Sequence, residues 1–153
     1  MARGIFVKIT VLLVEDSKLQ KLVNERILHK AGYTVLNAAD GQEAVRLARK
    51  AIPDIILLDM MLPKLGGREV IQALRADAST ARIPVLVFSG LSQANEAKLT
   101  EEGAAGYFAK SRLADHPEAE QELFQLIEGL VAGAKSPGKA GAKTGTLKAA
   151  ARA

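Results

Sequence analysis

Four short apolar runs, each stopping at a polar side chain, organise this chain. Val11-Leu12-Leu13-Val14 stops at Glu15 and Asp16, and Ile55-Ile56-Leu57-Leu58 stops at Asp59. Val85-Leu86-Val87-Phe88 stops at Ser89, and Tyr107-Phe108-Ala109 stops at Lys110. Continuous apolar runs of this length suit strands of a parallel sheet covered on both faces, with carboxyl ends facing a ligand crevice. Two acidic clusters, a hydroxyl and a lysine are thereby expected to meet at one edge of a sheet.

Helical patterns fill the gaps. Ser17 is an N-cap candidate ahead of Leu19, Leu22, Val23 and Ile27 at helical spacing, and Gly32 supplies the stop. Thr34 to Ala38 reads as a strand. Asp40 can cap a helix with Ala44, Leu47 and Ala48 as its buried stripe, ended by Pro53. After Asp59, residues 62–67 form a loop, and Val70, Ile71 and Leu74 mark the next helix. Pro84 opens a strand. Gln93 to Glu102 is a weakly amphipathic helix candidate, and Gly103 and Gly106 bracket a turn into Tyr107. Leu123, Leu126, Ile127 and Leu130 define a final helix with Glu118, Glu120 and Glu122 in its first turns. Five alternating strand and helix units predict an α/β, doubly wound parallel sheet with helices on both faces.

Composition narrows the chemistry. The chain has 153 residues, 48% of them hydrophobic, enough for one core and little more. The expected organisation is an extension over 1–8, one folded domain over 9–133 and a tail over 134–153. No Cys is present, which excludes disulfides, zinc-thiolate sites and a cysteine nucleophile. The two histidines, His29 and His116, lack a second histidine at ligand spacing and read as surface residues. The apolar stretch before Glu15 is too short for a signal-peptide core, and no stretch has membrane-spanning length, so a cytoplasmic protein is expected.

The net charge of +4 is local. Lys135, Lys139, Lys143, Lys148 and Arg152 all follow the last acid, Glu128. Setting those five aside leaves 16 of the 21 basic residues against 17 acidic ones. The Ala/Gly/Lys-rich tail cannot bury enough apolar area to offset its ordering entropy and reads as disordered.

The motifs Val14-Glu15-Asp16-Ser17, Leu57-Leu58-Asp59-Met60-Met61-Leu62-Pro63, Phe88-Ser89-Gly90 and Tyr107-Phe108-Ala109-Lys110 occur in this order. Together they resemble the receiver domain of bacterial response regulators, the flavodoxin-like family to which the chemotaxis protein CheY belongs. The resemblance covers roughly Ile9 to Gly133 and implies a five-stranded sheet of order 2-1-3-4-5. By it, Asp59 accepts a phosphoryl group from a phosphohistidine on a histidine kinase or phosphotransfer protein. The chain would then be a phosphoprotein of two-component signal transduction, a switch rather than a turnover enzyme.

Crowded like charges on Glu15, Asp16 and Asp59 destabilise an empty site and call for a hard divalent cation, Mg2+ or Mn2+. The resemblance adds the Met61 backbone carbonyl and a phosphoryl oxygen as ligands, with Glu15 acting through a metal-bound water. Lys110 and Ser89 would each hold a phosphoryl oxygen, so that charge developing in transfer meets prearranged partners. Ser89 and Tyr107 would be the switch pair, changing the face made by the fourth helix, fifth strand and fifth helix.

Two features depart from the family pattern, and two further positions bear on phosphoryl lifetime. Ser111 stands where receivers usually have a proline after a cis bond, so Lys110 is either aimed differently or held by a strained peptide. Ala105-Gly106 replaces the acidic residues that support a dimer in many transcription-factor receivers, so a monomer or weak dimer is expected. Met61 and Leu91, two beyond Asp59 and Ser89, are apolar and flank the path of an attacking water, so slow self-dephosphorylation is expected.

No output domain fits after Gly133, which leaves a stand-alone receiver acting on an unknown output protein through a protein contact. The alternative is a nucleic-acid or anionic-surface binder that uses the basic tail. An aspartyl-nucleophile phosphohydrolase ranks last, because its second Asp would fall at Met61.

Overall fold

Each apolar run forms a strand in the computed structural model, which describes residues 8–62, 64–90 and 100–135. They are β1 (Thr10–Val14), β3 (Ile55–Leu58), β4 (Val85–Ser89) and β5 (Gly106–Ala109), joined by β2 (Thr34–Ala38). All pairings are parallel and the order is β2-β1-β3-β4-β5. The carboxyl ends are aligned by register, with Val14 opposite Leu58, Leu58 opposite Val87 and Ser89 opposite Ala109.

The helices that lie wholly among the described residues are α1 (Lys18–Lys30), α2 (Gly41–Ala51), α3 (Gly67–Ala76), α4 (Ser111–Asp115) and α5 (Ala119–Lys135). Side chains alternate across the strands and build two cores. Val11, Leu13, Ile55, Leu57, Leu86 and Phe88 face α1 and α5, where they meet Leu28, Leu123 and Ile127. Leu12, Val14, Ile56, Leu58, Val85 and Val87 face α2 and α3, where they meet Ala48, Val70, Ile71 and Leu74. Leu57 and Leu58 are fully buried on opposite faces, and truncating either to Ala costs about 2–5 kcal/mol.

Local chemistry starts the helices where the sequence indicates. Gln20 N–H donates to the Ser17 hydroxyl at 3.3 Å. Asp40 and Glu43 form a reciprocal cap, with Glu43 N–H donating to Asp40 and Ala39 N–H donating to Glu43, both at 2.9 Å. Backbone donors hold the Asp40 carboxyl below its usual range, helped by Lys64 at 3.4 Å.

Three features differ from the sequence reading. Helix α1 is present and Ile27 is buried, but Leu19, Leu22 and Val23 are exposed by 68%, 59% and 46%, and Asn24 and Leu28 complete the buried side. Helical spacing alone does not say which of two apolar stripes meets the sheet. The short helix α4 has no counterpart in that reading, because five residues give too little periodicity. Ala134 and Lys135 continue α5 past Gly133, as good helix formers do. Most of the helix expected at Gln93 to Glu102 lies outside the described residues, as do Pro63 and the tail from Ser136.

Candidate phosphoacceptor site

Each site residue sits where a strand ends, and ladder bonds fix its backbone. Glu15 N–H donates to Ala38 O at 3.0 Å, Asp59 N–H to Val14 O at 3.2 Å, and Lys110 N–H to Ser89 O at 3.0 Å. Four neighbouring strands, β1, β3, β4 and β5, thus deliver Glu15, Asp16, Asp59, Ser89 and Lys110 to one edge.

Ligand oxygens of Glu15, Asp16 and Asp59 lie within 4.8 Å of one another. Glu15 and Asp59 are buried, at 3% and 9% exposure, whereas Asp16 is exposed. Three converging carboxylates suit a hard cation that keeps part of its water shell, so the donor set fits Mg2+ or Mn2+. Lys110 partly neutralises the cluster. Its Nζ donates to Asp59 Oδ2 at 3.2 Å and, at shorter range, to Glu15 Oε1, and it lies 5.8 Å from the centre of the Phe88 ring. Ser17 N–H supports the other Glu15 oxygen at 3.2 Å.

Asp59 Oδ1 accepts from Met61 N–H at 3.0 Å and from the Ser89 hydroxyl at 3.4 Å. The loop carrying Met61 is held by close approaches. A Cβ on Gly67 would fall 2.8 Å from Met60 Cα, and one on Gly41 only 2.0 Å from Leu65 O. Both positions therefore require glycine. Arg75, half-buried on α3, donates to the carbonyls of Ala81, Ile83 and Gly103 and so fixes the turn that enters β5. Burial lowers its pKa.

The open question about Lys110 is answered by its backbone. The Lys110–Ser111 peptide is trans, and Lys110 has φ −56° and ψ −34° at the start of α4. A proline at 111 would disfavour that conformation at the preceding residue, and serine permits it. Lys110 is on Asp59 nonetheless. Tyr107 is half-buried against the α2/α3 core, and Leu91 lies outside the described residues.

The profile of the response regulator receiver domain matches residues 11–130. The chain belongs to that family. It is 32% identical over 124 residues to Protein PilH of Pseudomonas aeruginosa, covering 80% of this chain and 98% of PilH. It is 31% identical to the polar-differentiation response regulator DivK of Brucella ovis, covering 66% of this chain and 83% of DivK. Among solved structures, the receiver domain of a Pseudomonas aeruginosa PAO1 sensor histidine kinase, with magnesium in its active-site cleft, superposes with a TM-score of 0.70 at 29% identity, covering 82% of this chain and 99% of that one. The Vibrio cholerae chemotaxis protein CheY4 superposes with a TM-score of 0.68 at 28% identity, covering 81% and 99% of the two chains. The protein is thus a CheY-like receiver of two-component signalling, and no helix among its described residues is long and apolar enough to cross a membrane.

Glu15, Asp16, Asp59, Ser89 and Lys110, singled out in the sequence, meet at the carboxyl ends of the strands, but the contacts that hold them there were not legible in it. The Phe88 ring beside Lys110 and the Met61 N–H on Asp59 need the third dimension. The capacity of Ser-Arg-Leu-Ala-Asp after Lys110 to start a helix was the one available signal for α4.

Proposed function

We propose that this receiver takes a phosphoryl group from a phosphohistidine of a histidine kinase or phosphotransfer protein onto Asp59, and that the change switches a protein-binding surface. The observation that carries this reading is the position of Asp59: one carboxyl in contact with Lys110, Ser89 and the Met61 N–H, inside a three-carboxylate cluster.

An Asp59 oxygen attacks phosphorus as the bond to the donor imidazole breaks. Lys110 then leaves one carboxylate and holds a phosphoryl oxygen, while the Ser89 hydroxyl donates to another. Glu15, Asp16, Asp59 and the Met61 carbonyl would hold the divalent cation, which supplies charge neutralisation. Movement of Ser89 toward the phosphoryl group would open space for Tyr107, and a few kcal/mol of differential contact energy suffices to shift such an equilibrium.

The donor protein has a surface to meet. Val23, exposed on α1 with Leu19 and Leu22, lines a cavity of about 680 Å³ between α1 and α4 together with Asn24, Ile27, Lys110, Leu113 and Ala114. An apolar face of that kind beside the acceptor fits a helical partner bringing its histidine to Asp59. Transfer of label from a phosphorylated histidine kinase, with Asp59→Asn as control, tests the reading. Label on both proteins would overturn it.

A further inference from the structure

The chain has three methionines and no cysteine, so thioethers are its only sulfur. The two described ones differ sharply in setting. Met60 packs against the α2/α3 core, with its sulfur 2.5 Å from where a Cβ on Gly67 would lie. Met61 is 67% exposed, and its N–H is anchored to Asp59 Oδ1 at 3.0 Å. Met61 therefore presents an open thioether on a backbone tied to Asp59.

We propose that Met61 is an oxidation site through which peroxides act on this receiver, methionine sulfoxide at that position shortening the life of the phosphoryl group on Asp59. The coupling rests on the phosphoacceptor reading above. In the step, the sulfur lone pair attacks one oxygen of hydrogen peroxide, the O–O bond breaks and an S–O bond forms. Sulfur loses two electrons, the peroxide is reduced, and its second oxygen leaves as water after proton transfer between the two peroxide oxygens. No further reductant or oxidant enters.

The consequence follows from polarity. A thioether is a weak acceptor and leaves a neighbouring water unoriented. A sulfoxide oxygen is a strong, directed acceptor on the same flexible side chain. Placed beside Asp59, it holds a water near the phosphorus and raises the rate of attack. Reduction by methionine sulfoxide reductase restores the thioether, so the device is reversible.

The test treats the full chain with dilute hydrogen peroxide and maps the added oxygen by peptide mass. The half-life of phosphoryl loaded from a small donor is then measured in treated and untreated protein, with Met61→Leu and Met60→Leu in parallel. Met61 should gain about 16 Da roughly tenfold faster than Met60. The half-life should fall about threefold in treated native protein and treated Met60→Leu, recover with the reductase, and not respond to peroxide in Met61→Leu. Equal oxidation of Met60 and Met61 overturns the site. Selective oxidation with an unchanged half-life overturns the coupling. Absence of any phosphoryl adduct in untreated protein overturns the phosphoacceptor reading and the coupling with it, while the oxygen map still decides the site.

Discussion

Lys110 Nζ stands 3.2 Å from Asp59 Oδ2 while also bonding Glu15, so one ammonium serves two carboxylates of a three-carboxylate cluster. It occupies charge that a divalent cation would also claim. A bound metal would therefore compete with the lysine at Glu15, and on the proposed function a phosphoryl group would give the lysine a new partner.

Replacing Lys110 with Met should tighten binding of Mg2+ or Mn2+ by about tenfold, since a cation at this range in a partly buried site is worth about 1–2 kcal/mol after screening. The same variant should accept phosphoryl groups more slowly. Calorimetric titration with Mg2+ checks the first effect, and unchanged affinity would contradict the opposition of lysine and metal.

The exposed apolar face of α1 predicts a selective defect. Leu22→Asp places a charge on a residue that is 59% exposed, so folding should persist. Transfer from a histidine kinase should slow about tenfold more than loading from acetyl phosphate, as expected of an apolar contact residue made charged. Equal slowing of both would argue against a docking role for α1.

This face also marks how far the sequence could be read. Runs ending at Glu15, Asp59, Ser89 and Lys110 located the strands and the site, because a parallel strand buried on both faces is apolar throughout and its first polar residue marks its end. Helix α1 was harder. Leu19, Leu22 and Val23 keep helical spacing as well as Ile27 and Leu28 do, and only packing separates a core stripe from a surface stripe. Lys110 was harder still, because its aim depends on backbone angles that Ser111 permits without dictating.

On the proposed function, the side chains at positions 61 and 91 govern phosphoryl lifetime. Met61→Asn together with Leu91→Glu should shorten the half-life of the phosphoryl group by about tenfold, since an amide and a carboxylate can orient a water where apolar groups do not. Phosphate release after removal of excess donor is the measurement, and an unchanged half-life would contradict it.

Tyr33 predicts the alkaline behaviour of the fold. Its hydroxyl donates to Glu128 at 3.2 Å, and burial together with Glu128 pushes its pKa above the usual tyrosine range. A group raised in the folded state stabilises fully below its unfolded pKa, so this contribution is present at neutral pH and is lost as pH rises above about 10. Tyr33→Phe should cost about 1 kcal/mol at pH 7 and flatten the decline in urea stability above about pH 10. An equally steep alkaline decline would place its cause elsewhere.

The central claim is that Asp59 is the phosphoacceptor of a metal-dependent receiver. Intact-protein mass after incubation with a small phosphodonor, with and without Mg2+, tests it in native protein and in Asp59→Asn. One phosphoryl group added only to native protein with Mg2+ is the result expected. No adduct in folded native protein with Mg2+, or an equal adduct in Asp59→Asn, would contradict it.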